Sequence, residues 1–238
     1  MDKKILTYKE LQKIRAGEND DALVSLNNYF PTAIFCKYEK LDMLPWSGNH
    51  ILIRESIAEK LKKAAFNLQK IDKTLQFKVV YGYRHPTIQK KYFLKQKKLL
   101  SLKYSKLNNK ELINLTHNFV ASPDVAGHPC GAAIDLTIIK NGKPLAMGTK
   151  IADFNNPEAI KTFYKKLTET QKLNRLMLRK LIMDQGFAPF NGEWWHFSYG
   201  DKEWAFYYKQ KSSLYSSLSL TKKEIYNIIN KNKIKSGV

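Results

Sequence analysis

Apolar positions along this chain switch between two periods. From Glu55, residues Ile57, Leu61, Ala64, Ala65 and Leu68 recur at helical spacing, which predicts an amphipathic helix to about Gln69. Phe77-Lys78-Val79-Val80-Tyr81 alternates and is rich in β-formers, so a strand is expected there, running into a loop at Gly82. Pro86 suits the first turn of a helix that continues to about Leu100. Residues 101–127 read as loop with one short helix, and Ala133–Ile139 as a second strand. Asn141-Gly142 then marks a tight turn into a return stretch, Pro144–Met147. A long helical region is expected over Pro157–Gln185, broken once and stopped by Gly186, with a last core strand over Glu193–Tyr199. Residues 22–53 show no sustained period and are expected to be irregular chain with short strands.

Two local signals frame this body. Thr7 stands three residues before Glu10 between Leu6 and Leu11, a capping box with a hydrophobic staple. Leu220-Thr221-Lys222-Lys223-Glu224-Ile225 repeats that pattern and starts a terminal helix. Composition shifts to Lys, Ser, Asn and Ile after Tyr208, so 1–208 reads as the main domain and 209–238 as a loosely docked appendage.

The 238 residues suit about one or two domains. At 43% hydrophobic the chain can bury a core, which excludes a mainly disordered polypeptide. Its longest apolar runs, such as Ala132–Ile139, fall far short of the ~20 residues of a membrane span. Charges interrupt the first ten residues, so no secretory signal is visible and a cytoplasmic location is the default; removal of a signal would make the protein periplasmic or exported. Cys36 and Cys130 are read as two reduced thiols.

Lys and Arg outnumber Asp and Glu by 41 to 21, a formal charge of +20. The excess is lysine: arginine occurs only at positions 15, 54, 84, 175 and 179. Specific nucleic-acid readers favour arginine forks, so solvated helix faces are the first explanation, and attraction to an anionic surface such as cell wall is the second. Either way, contacts of this kind weaken with salt.

Two of the five histidines keep unusual company. His128 lies in Gly127-His128-Pro129-Cys130-Gly131, seven residues before Asp135, and His196 ends Glu193-Trp194-Trp195-His196. Two imidazoles and a carboxylate are suitable zinc ligands that leave a fourth position for water, and a carboxylate held nearby, Glu193, would serve as general base. Each residue also has an ordinary reading. A histidine beside two tryptophans is often simply packed, and Asp135, inside an apolar run, could be satisfied by a metal, by Arg84 or by backbone donors. Residues three apart on a regular strand point to opposite faces, so Glu193 and His196 converge only if the chain bends between them.

Gly82-Tyr83-Arg84, then His128-x-x-Gly131-x-Ala133-x-Asp135-Leu136-Thr137, then Glu193-Trp194-Trp195-His196-Phe197 resemble the D-alanyl-D-alanine dipeptidases of vancomycin-resistance type, in order and spacing. Lys143–Thr149 and the upstream Asn27-Asn28-Tyr29-Phe30 fit the same pattern, and the likeness spans about residues 20–208. The resemblance implies an α+β fold, a small, mainly antiparallel sheet with helices packed on one side. It implies one zinc ion on His128, Asp135 and His196, Glu193 as catalytic base and Arg84 as transition-state stabiliser. Asp153 is the nearest match for the acidic residue that binds the substrate ammonium. The implied reaction is hydrolysis of the D-Ala-D-Ala dipeptide; the alternatives are a D,D- or L,D-carboxypeptidase acting on larger peptidoglycan stems and a noncatalytic zinc-binding fold. Three positions depart from the pattern: Ala126 replaces a serine, Tyr81 replaces an acidic residue, and His85 is inserted before Pro86.

Overall fold

The computed structural model describes residues 5–28 and 33–235, with side chains to position 231. Tyr29 and Phe30 of the upstream motif, and residues 1–4 of the segment read for a signal, lie outside the described residues.

In chain order the described elements are α1 (Tyr8–Gln12), β1 (Leu23–Ser25), β2 (Ile34–Cys36), α2 (Leu44–Ser47), β3 (Leu52–Arg54), α3 (Glu55–Ile71), β4 (Leu75–Tyr81), α4 (Pro86–Lys103), α5 (Asn109–His117), β5 (Ala133–Lys140), β6 (Lys143–Pro144), α6 (Glu169–Met183), β7 (Ala188–Pro189), β8 (His196–Ser198), α7 (Lys202–Tyr207) and α8 (Lys222–Lys235). The main sheet runs β2-β4-β5-β8-β7, with β6 folded back on β5, and β1 pairs with β3 in a separate ribbon. Among the described strands only the β2–β4 pairing is parallel and the others are antiparallel, so the expected α+β architecture is the one observed. The apolar stripe of α3, Ile57 through Leu68, is fully buried and packs on β4 and α6. No described helix is long and apolar enough to cross a membrane.

The helix ends expected at Thr7, Thr221 and Gly186 form there. Thr7 and Thr221 exchange hydrogen bonds with Glu10 and Glu224, and Asn108 caps α5 in the same way. Gly186 takes φ +84° just past α6, and its N–H donates to the Met183 carbonyl at 2.8 Å.

Two expectations need correction. Residues 157–168 are not helical; α6 starts at Glu169. The buried Arg175 guanidinium draws the preceding chain into loops, donating to the carbonyls of Met147 (2.6 Å), Ala159 (2.9 Å) and Lys161 (2.6 Å). Trp194 N–H takes the Ile160 carbonyl, so groups that a helix would pair internally are committed elsewhere. The second correction concerns the tail, which is docked and not loose. Ile225 and Ile229, one helical turn apart, are buried in the core, and the Tyr83 hydroxyl donates to the Leu218 carbonyl at 2.7 Å. A lysine-rich composition hides this two-residue stripe. Ile225→Ala is expected to cost about 2–5 kcal/mol of stability, as for other fully buried isoleucines. Thermal denaturation checks it; an unchanged midpoint would mean that α8 contributes no core.

Candidate active site

The centre of the site is a strand pairing. Asp135 on β5 and His196 on β8 are direct cross-strand partners, so their side chains leave the sheet on one face, and Tyr81 on β4 lies opposite Asp135 on the other side. A register shift between Val79 and Tyr81, a bulge next to the site, sets that last alignment. His196 Nδ1 stands 2.9 Å from Asp135 Oδ1.

His128 arrives from the loop before β5. Residues 128–130 make one 3-10 turn, and Gly131 at φ +67° reverses the chain into the strand, a conformation that costs a residue with a Cβ. Gly127 is needed for a different reason: a Cβ there would meet Asp201 Oδ2 at 2.1 Å. The His128 ring stands edge-on to His196, centroids 5.0 Å apart. Its Nδ1 lies 2.8 Å from the Gly82 carbonyl, which can only accept, so Nδ1 carries the proton. Nε2 is left with its lone pair, 3.5 Å from Asp135 Oδ2.

The three donor groups lie within 4.8 Å of one another. Their closest separations, 2.9 and 3.5 Å, bracket the ~3.3 Å edge of a tetrahedron with metal–ligand bonds of about 2.0–2.1 Å. A buried N,N,O set of this size fits a small divalent ion of the zinc type. Burial pushes the His128 pKa down to about 4, keeping that imidazole neutral as a ligand must be. At His196 burial is outweighed by the hydrogen bond and charge of Asp135, which raise its pKa to about 9, so this ring gives up a proton when an ion binds. Burial opposes ionisation of Asp135, but the charges and hydrogen bonds of His128 and His196 outweigh it and hold the carboxyl well below the usual range. Cys130 stands apart from this cluster, its thiol pushed up to about 12 by burial, and both cysteines are free.

Glu193 meets His196 through a turn. The expected strand over 193–199 is regular only from His196, because His196 N–H bonds the Glu193 carbonyl at 3.2 Å and the chain bends between them. Burial pushes the Glu193 carboxyl up to about 7; Asp135 adds to the rise, while His196, Lys40 and Arg84 pull against it. Trp194 and Trp195 are buried beside it, and the Trp194 indole N–H donates to Thr149 Oγ1.

Arg84 is buried with its guanidinium over the Tyr81 ring at 4.5 Å. Nε donates to the Tyr81 hydroxyl and Nη1 to Gln89 Oε1, leaving Nη2 without a hydrogen bond among the described residues. Asp42, the anchor of this group, has no sequence signal: it accepts from the hydroxyls of both Tyr81 (2.7 Å) and Tyr92. The acidic group that the pattern carries at position 81 is thus supplied one hydroxyl further out. The inserted His85 caps α4 through Nδ1 and stacks on Trp46 at 3.8 Å. Lys40, also unflagged by sequence, lies over the rings of Tyr92 and Phe154. Asp153 sits in the loop next to Phe154, whose ring packs against Trp195 at 6.1 Å, and its Oδ1 accepts from the Asn155 side chain. A cavity of about 490 Å³ between α1 and α7 is lined by Phe190 and Glu203 but by none of the three candidate ligands.

A family model described as D-Ala-D-Ala dipeptidase matches residues 39–217. The D-alanyl-D-alanine dipeptidase of Synechocystis sp. is 33% identical over 95 residues, covering 35% of this chain and 38% of that protein. The D-alanyl-D-alanine dipeptidase of Enterococcus faecalis is 33% identical over 101 residues, covering 42% and 47%. The chain therefore spans less than half the length of these curated relatives. Among solved structures, the LdcB LD-carboxypeptidase aligns with a TM-score of 0.45 at 17% identity, over 91% of this chain and 85% of that one. A Zn(II) complex of the vancomycin-resistance D,D-pentapeptidase VanY aligns at 0.39 and 18% identity, over 69% and 83%. Since the family model covers about three quarters of the sequence, including all of His128, Asp135, Glu193, His196 and Arg84, the chain belongs to the D-Ala-D-Ala dipeptidase family of peptidases.

Proposed function

We propose that this protein is a zinc-dependent peptidase that hydrolyses the D-Ala-D-Ala dipeptide. The observation that carries the reading is the convergence of His128, Asp135 and His196 into one N,N,O cluster beside a half-buried carboxyl, Glu193, and an arginine with one arm uncommitted. His128, Asp135 and His196 hold the ion. When bound, zinc polarises a peptide carbonyl and acidifies water. Glu193, whose burial raises its proton affinity towards that of water activated at neutral pH, takes the proton from the attacking water and returns it to the leaving amine. Arg84 Nη2 hydrogen-bonds the carbonyl oxygen as negative charge develops, an interaction stronger in the transition state than before it. Gln89 and the Asp42–Tyr81 pair hold the guanidinium in place, so its positioning cost is met before substrate arrives. Asp153 binds the dipeptide ammonium. Exposed Lys90, Lys91, Lys95 and Lys98 on α4 attract anionic wall polymer, a contact that fades with salt.

The departures at Ala126, Tyr81 and His85 replace none of the three candidate ligands, although the Tyr81 ring stands edge-on to His128 at 5.2 Å, and they keep carboxypeptidase action on longer stems as the competing reading. Purified protein assayed on D-Ala-D-Ala and on a pentapeptide stem, with and without chelator, separates them. The expected result is one equivalent of zinc, release of D-alanine from the dipeptide in excess over the stem, and loss of activity on chelation that added zinc restores. Preference for the stem would transfer the function to the carboxypeptidase reading; activity indifferent to chelator would remove the metal from it.

A further inference from the structure

Lys40 precedes the 3-10 turn Leu41–Met43 and places its ammonium over the rings of Tyr92 (5.6 Å) and Phe154 (5.1 Å). The residue is half-buried, and its electrostatic neighbours are Arg84, Asp135, Glu193 and Asp42, the groups of the site itself. Burial draws its pKa down, the direction expected of a cation that has lost water without gaining a full counter-charge.

None of the nearby carboxylates pairs with Lys40: among the described residues Glu193 faces it electrostatically without a hydrogen bond or ion pair, and the others are engaged elsewhere. Asp42 accepts from two tyrosines, Asp135 lies between two imidazoles, and Glu39, adjacent in sequence, pairs with Lys78 at 2.6 Å. Among the described residues, Lys40 Nζ makes no hydrogen bond and no ion pair, so all three of its N–H donors are uncommitted. Two ring faces hold the charge but cannot replace the hydrogen bonds that water gave it. What completes such a group is an oxyanion. Arg84 already offers an uncommitted arm for the charge that forms at the scissile carbonyl, so Lys40 is available for an anion that the substrate brings with it.

We propose that Lys40 binds the terminal carboxylate of the peptide substrate and makes the site selective for free C-terminal ends. The proposal rests on the peptidase reading and deepens it. In a D-Ala-D-Ala dipeptide, and in a stem ending in that pair, the carboxylate lies one residue beyond the bond to be cleaved. An internal peptide bond offers no charge there. A lysine on aromatic faces acts as a point charge with rotatable donors, which suits a small terminal carboxylate.

The test compares D-Ala-D-Ala with its C-terminal amide, D-Ala-D-Ala-NH2, on zinc-loaded wild type, Lys40→Met and Lys40→Arg. Wild type is expected to favour the free acid by about ten- to hundredfold in kcat/KM, the usual range for a charge-assisted hydrogen bond. Lys40→Met loses that preference through KM on the acid and leaves the amide nearly unchanged, and Lys40→Arg recovers most of it. Lys40→Gln gives the same readout should the methionine variant fold poorly, and melting temperature and zinc content control for both. Equal losses on acid and amide would overturn the proposal, since Lys40 would then support only the Tyr92–Phe154 wall. A wild type that cleaves acid and amide equally would also overturn it while leaving the peptidase reading intact. A wild type inactive on both would overturn the two together.

Discussion

Glu193→Gln is expected to lower kcat by about 10²–10⁴-fold, the range for loss of a general base, while zinc binding stays at one equivalent. The amide keeps the size and hydrogen-bonding edge of the carboxyl but cannot accept the water proton. Stability should move the opposite way. Glu193 has a folded pKa raised to about 7 against an ordinary 4.5, because burial disfavours its charged form. Between those values the folded protein binds more protons than the unfolded chain, so the stability contribution of this group falls as pH rises through the window. At pH 8 the ionised carboxylate burdens the metal-free fold by on the order of 1–3 kcal/mol, at 1.36 kcal/mol per pKa unit. The glutamine variant, stripped of metal, is therefore expected to melt above wild type at pH 8 and level with it near pH 4. Activity and melting curves together distinguish a lost base from a damaged fold. A variant with wild-type turnover would remove Glu193 from the mechanism.

The parts of the site legible in sequence were those written in local patterns. The strand period over residues 77–81 and 133–139, the glycine before Asp135 and the Glu-x-x-His spacing all survive in the structure. What joins them is not local. Asp135 and His196 are 61 positions apart and meet because β5 and β8 pair in that register, which nothing within either strand specifies. The same limit explains the misses. Asp42 becomes the anchor of Tyr81 and Tyr92 only after β4 and α4 are set beside the 3-10 turn at residues 41–43. Residues 157–168 carry helical spacing, but Arg175 claims their carbonyls once α6 has docked, so tertiary hydrogen bonding overrides local preference. For α8 the capping box was visible and the docking was not, because Ile225 and Ile229 are two apolar positions in a lysine-rich segment.

The second large effect is expected at Asp135, and its signature is the reverse of that at Glu193. Asp135 touches both imidazoles, at 2.9 Å to His196 Nδ1 and 3.5 Å to His128 Nε2. Asp135→Asn keeps the shape of the side chain and a hydrogen-bond acceptor for His196, so the fold should survive with a loss of about 1–3 kcal/mol. It removes the only negative charge from the ligand set, leaving two neutral nitrogens and an amide oxygen for a dication. Changes to groups that merely orient ligands cost about 10–100-fold in affinity or activity, and loss of a ligand charge should exceed that. Turnover is then expected to fall to the level of chelated wild type. Melting curves give a readout independent of activity: an ion held at about a hundred times its Kd stabilises the fold by about 2.7 kcal/mol, so zinc should raise the wild-type and Glu193→Gln midpoints and leave that of Asp135→Asn where it was. The two variants thus divide the site into a metal-holding part and a proton-moving part, and an Asp135→Asn protein that still gained stability from zinc would show that the ion sits on some other set of donors.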